Sequence, residues 1–99
     1  MTPELKHDCK VQRVTAHLAA EAQGERVILH ATEGTYFGLN STGTRVWDLI
    51  EEPRDVNEIA SMMTSEFEVA LEVLVNDVTE VLSKLIHAGL AEVVSRNSE

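Results

Sequence analysis

The spacing of apolar positions changes once along this chain, near residue 40. Ahead of that point apolar residues come in short runs rich in β-branched and aromatic types; behind it they recur every three or four residues. Residues 11–20 (VQRVTAHLAA) are weakly periodic, and Thr15 with two valines leans the segment toward a strand. Gln23-Gly24-Glu25 supplies a turn, and Arg26-Val27-Ile28-Leu29-His30-Ala31 reads as a second strand. A turn at Thr32-Glu33-Gly34 leads into the third, Thr35-Tyr36-Phe37-Gly38-Leu39. Such brief turns predict an antiparallel meander with residues 35–39 at one edge.

Asn40 or Ser41 can accept a hydrogen bond from a free amide of a first helical turn, so the third strand passes directly into a helix over residues 42–50. Val46, Trp47, Leu49 and Ile50 give that helix an apolar side, with Trp47, the single tryptophan, as its core anchor. Pro53 in Glu51-Glu52-Pro53-Arg54 breaks it. Asp55 then caps a second helix, and Glu58 stands at capping-box spacing. Val56, Ile59, Ala60, Met63 and Phe67 form its single apolar stripe. The third helix covers residues 70–88, with Gly89 placed to end it and Lys84 and His87 near its C-terminal dipole. Leu71, Leu74, Val78, Leu82 and Leu85 make a core stripe, which Val75, Val81 and Ile86 widen. Either this helix touches two neighbours, or the extra strip lines a groove. Residues 90–94 form a last short strand or an extended tail. The layout is α+β and winged-helix-like: a three-stranded antiparallel sheet followed by three helices. Residues 1–10 read as a flexible N-terminal segment, 11–94 as the domain, and 95–99 as a polar tail.

Composition narrows the chemistry. Ninety-nine residues, 43% of them apolar, make one domain with one modest core. Net charge is −9, and it is unevenly spread: residues 1–50 hold five Lys/Arg against six Asp/Glu, residues 51–99 three against eleven. An electronegative helical half repels phosphate backbones and suits a basic or neutral partner. The lone Cys9 cannot form an internal disulfide, and neither a signal-peptide core nor a run of ~18 apolar residues is present, which points to a cytoplasmic protein with no membrane contact. His7-x-Cys9 has no second pair of ligands nearby, and a closed zinc site needs about four, so no metal is expected. Gly34-x-x-x-Gly38 lacks the Lys-Ser/Thr of a phosphate loop, and His17, His30 and His87 stand in no nucleophilic order. No catalytic constellation and no cofactor motif emerges.

Gly34-x-Tyr36-Phe37-Gly38-Leu39-Asn40, then Trp47, then Asp77-Val78 and Leu82-x-x-Leu85-x-x-x-Gly89-Leu90 together resemble the PqqD-like family over residues 11–94. The resemblance implies a small peptide chaperone, a recognition element that binds the leader segment of a ribosomally made precursor. In such proteins the leader adds as a strand on the third strand, with side chains in the groove toward the third helix. Carried to this sequence, the docking strand is Thr35, Tyr36, Phe37, Gly38 and Leu39, and the facing helix strip is Val75, Val78, Thr79 and Leu82. Tyr36 and Phe37 must face opposite ways, and the residues alone leave open which one enters the groove. Glu33-Gly34-Thr35-Tyr36-Phe37-Gly38 is more similar to the stand-alone recognition proteins of lasso-peptide pathways than to the namesake of pyrroloquinoline quinone synthesis. The implied partner is a leader peptidase or a radical-SAM modifying enzyme, with the protein a monomer or weak dimer. Winged-helix layouts also serve DNA-binding regulators and other protein-interaction adaptors. A DNA reader needs cations on its recognition helix, whereas the third helix carries Glu72, Asp77 and Glu80 against Lys84 alone among Lys and Arg.

Overall fold

A computed structural model describes residues 9–14, 17–22, 25–30, 34 and 36–96. The elements run β1 (Cys9–Arg13), β2 (His17–Ala22), β3 (Glu25–His30), β4 (Tyr36–Leu39), α1 (Ser41–Leu49), α2 (Val56–Phe67), α3 (Leu71–His87) and β5 (Ala91–Arg96). The expected meander is there as β2-β3-β4, antiparallel throughout, and the three helices follow it.

Two strands differ from the sequence expectation. The segment 11–20 is not one strand, because its two halves join different sheets. β1 leaves the meander and pairs with β5 as a separate antiparallel ribbon, with a register shift between Lys10 and Val11. It also begins at Cys9, inside the stretch read as a flexible end. The reason lies in the burial of Val11 (0% exposed) and in backbone bonds to the helical layer. The Val11 N–H donates to the Arg54 carbonyl at 2.8 Å, the Arg54 N–H donates back at 3.1 Å, and the Arg13 N–H donates to the Ile50 carbonyl at 3.0 Å. Residues 91–94 of the stretch 90–94 are strand, and β5 runs on through residues 95 and 96 of the expected polar tail.

Helix ends obey local chemistry. The Asn40 side chain accepts from the Gly43 N–H at 2.9 Å and starts α1 immediately after β4. Asp55 and Glu58 form the expected capping box of α2: the Glu58 N–H donates to Asp55 Oδ1 at 2.8 Å, and the Asp55 N–H to Glu58 Oε1 at 3.1 Å. That backbone N–H, aided by Lys10, holds the Glu58 carboxyl below its ordinary range. α3 closes at Gly89 (φ 79°), where the Leu90 N–H donates to the Leu85 carbonyl and the Gly89 N–H to that of Ile86. This is the 6→1, 5→2 pattern of a Schellman end, and buried Leu85 and Leu90 supply its apolar contact.

The core lies between the sheet and the helices and is centred on Trp47, with Ile28 and Leu39 from the sheet and Leu74, Val78, Leu82 and Leu85 from α3. Arg13 stacks over the Trp47 ring at 5.2 Å, tying β1 to α1. Arg26 Nη1 donates to Asp48 Oδ1 at 2.9 Å and fixes β3 against α1. Among the described residues no helix is long and apolar enough to cross a membrane.

Candidate functional site

β4 is an edge strand: β3 lies on one side of it, and among the described residues no strand lies on the other. Its outer row of backbone N–H and C=O groups is therefore available for pairing. Cross-strand register assigns its faces. Phe37 pairs with buried Ile28 and Leu39 with Arg26, so Phe37 and Leu39 turn toward the helices. Tyr36 pairs with Leu29 and Gly38 with Val27 on the opposite face, where Tyr36 is 76% exposed. This resolves the choice between the two aromatics: Phe37 faces α3 and Tyr36 faces away.

Between β4 and α3 runs a groove made of two clefts. One, about 380 Å³, is mostly apolar and is lined by Phe37 with Ser83, Lys84, His87 and Ala88. The other, about 190 Å³, lies at the β4–α1 junction between Asn40, Thr42 and Asp77, Glu80, Val81. Lys84 and His87 stand at the Phe37 end and the two carboxylates at the Asn40 end. Lys84 and Glu80 meet only at 3.9 Å, both largely exposed, so each remains free to turn to a ligand.

The site residues read from the sequence are brought together only in part. Thr35 lies outside the described residues. Tyr36, Phe37 and Gly38 occupy the open strand, whereas the Leu39 side chain is buried and only its backbone belongs to the edge. Of the helix strip, no member lines either of these two clefts. Val78 and Leu82 are fully buried under the sheet, and Val75 and Thr79 line neither cleft; the Thr79 hydroxyl donates to the Val75 carbonyl. At about 100° per residue, Val75 and Thr79 project roughly opposite Asp77 and Lys84. From α3 the clefts are lined by Asp77 and Val81 beside Asn40 and by Lys84 and Ala88 beside Phe37, on the other flank of the core stripe. The sequence carried one signal for it: Val81 widens the stripe in that direction, and Lys84 and Ala88 follow at i+3 and i+7. The outer face holds a feature that the sequence reading did not contain, an apolar cleft of about 430 Å³ lined by Ala19, Ala20, Val27, Leu29 and Tyr36.

Comparison with known proteins places this architecture. The family model described as coenzyme PQQ synthesis protein D (PqqD) matches residues 25–91. TbiB1, solved in complex with the TbiA(beta) leader peptide, is 33% identical over 82% of this chain and 94% of its own, with a TM-score of 0.72. A lasso peptide synthetase B1 complexed with a leader peptide shares the fold at 22% identity (TM-score 0.72; 83% of this chain, 96% of that one). So does the PqqD truncation of Methylobacterium extorquens PqqCD, a stand-alone RiPP recognition element, at 16% identity (TM-score 0.77; 93% and 99%). No curated protein sequence matches. With the family match spanning residues 25–91, well over half of the chain, and TbiB1 33% identical over 82% of it, this chain belongs to the PqqD family.

Proposed function

We propose that this protein is a non-catalytic recognition element that binds the leader segment of a ribosomally synthesised precursor peptide and delivers it to a processing enzyme. The observation that carries the reading is the open β4 edge beside the Phe37–Ala88 cleft. Main-chain bonding to the edge supplies affinity, and the cleft takes alternate side chains. The TbiB1 complex supports a leader as the ligand, and the enzyme that receives it is a leader peptidase or a radical-SAM modifying enzyme. Ribosomal precursors are made in the cytoplasm, where a monomer or weak dimer would meet them. The docking residues are the backbone of Tyr36, Phe37, Gly38 and Leu39, the Phe37 side chain, and Val81, Lys84 and Ala88 from α3. The acidic face of α3 argues against DNA.

Calorimetric titration with the TbiA(beta) leader tests this. A strand-plus-cleft interface should bind at micromolar Kd or tighter, about −8 kcal/mol. Phe37→Pro and Tyr36→Pro are compared, with circular dichroism as the folding check. Whichever of the two removes an outward amide should abolish binding while the domain stays folded. Folded proline variants that both bind like the parent would place the leader elsewhere.

A further inference from the structure

Among the described residues nothing requires residue 38 to be glycine. Its φ lies outside the left-handed region, and a Cβ built on it meets nothing within 4 Å among the described residues. The other described glycines have reasons. Gly34 and Gly89 adopt positive φ, and a Cβ on Gly43 would come within 3.0 Å of Leu39 Cδ2. A glycine inside a strand weakens it, and such a position often marks where a ligand approaches closely. The bare backbone of Gly38 opens on the outer face of the sheet. Val27 is its cross-strand partner there, and Ala20 comes next in β2. Val27 and Ala20 are also walls of the 430 Å³ apolar cleft. Gly38 is thus a gap between that cleft and the open edge of β4.

We infer that this gap is a second side-chain subsite, which takes a large apolar, preferentially aromatic, side chain from the docked-peptide residue paired with Gly38. The inference rests on strand addition at β4 and specifies the peptide that the strand selects. An added antiparallel strand lies ~4.8 Å beyond Gly38 and so about twice that from Val27. A short side chain at that distance stops above the glycine. A ring crosses it, reaches Val27 and the mouth of the cleft, and covers the edge glycine as aromatic residues do in other sheets. Alternation then sends the next peptide residue, opposite Phe37, to the other face and into the Phe37–Ala88 cleft. The peptide signature is an aromatic residue followed directly by an apolar one.

Selection of short random peptides from a displayed library, run in parallel on the parent and on Gly38→Val, tests the subsite. The parent should enrich the aromatic–apolar pair, and Gly38→Val should lose the aromatic preference. Gly38→Ala keeps open space around its Cβ and should show a smaller change in the same direction with its fold intact. In titrations of a selected peptide, replacing the ring by alanine should cost the parent about tenfold in Kd and cost Gly38→Val little. The same enrichment from parent and both variants overturns this inference and leaves strand addition standing. A parent that enriches no peptide and does not bind the TbiA(beta) leader overturns both.

Discussion

Two residues adopt the same left-handed backbone with opposite side-chain chemistry. Glu68 closes α2 at φ 51°, and Gly89 follows the α3 C-cap at φ 79°. A side chain costs about 1–2 kcal/mol in this region, which glycine avoids. Part of that gain is returned because glycine loses more freedom on folding. Glu68→Gly should therefore raise stability by roughly 0.5–1 kcal/mol, and Gly89→Ala should lower it by about 1 kcal/mol. Among the described residues a Cβ on Gly89 meets the His30 ring at 3.8 Å, an ordinary contact, so the loss reports backbone strain. Urea unfolding of both variants checks the pair. Equal signs would mean that something other than the dihedral controls these helix ends.

At the scale of elements, α3 presents three faces with three different jobs. Leu74 belongs to the core face, Ala88 to the cleft opposite Phe37, and Val75 to the far flank. Leu74→Asp should unfold the domain, since a carboxylate there has no water and no partner. Ala88→Leu fills the cleft and should weaken TbiA(beta) leader binding about tenfold, ~1.4 kcal/mol, with little change in Tm. Val75→Asp should lower Tm by a few degrees, about 1 kcal/mol in a domain of this size, while the folded fraction keeps its affinity. Loss of affinity in Val75→Asp with Ala88→Leu unaffected would return the peptide to the flank first read from the sequence. That first reading shows where legibility ends. Periodicity located every helix, and the capping box and the Gly89 end could be named by residue, because these signals are local. The side of α3 that meets β4 depends on how the helix is rotated against the sheet, and the heptad-like stripe allows either flank. The split of residues 11–20 was hidden for a related reason. Val11 pairs with a strand some eighty residues away, and no local pattern encodes that partner. Gly38 is plain in the sequence, yet that its Cβ would meet nothing among the described residues is visible only in the fold.

Over the whole molecule, charge and groove are aligned. The net −9 comes almost wholly from residues 51–99, at −8, and within the groove Asp77 and Glu80 mark one end while Lys84 and His87 mark the other. A leader added antiparallel to β4 passes its N-terminal part beside Asn40 and the carboxylates and its C-terminal part beside Phe37 and Lys84. A peptide with basic residues early in the segment therefore meets complementary charge at that end and is steered by the acidic surface as it approaches. Steering by exposed charges acts over the Debye length, ~30 Å at 0.01 M salt and ~3 Å at 1 M, whereas main-chain bonding and apolar burial are far less screened. Stopped-flow association of a leader carrying an N-terminal lysine pair should thus slow by about an order of magnitude or more from low to high salt, with dissociation changed much less. The same peptide with its lysines moved to the C-terminal end faces Lys84 and His87; it should keep part of the steering and bind more weakly. Identical affinities for the two peptides at low salt would show that the ends of the groove do not read charge. An association rate flat with salt would remove the acidic helical half from recognition altogether.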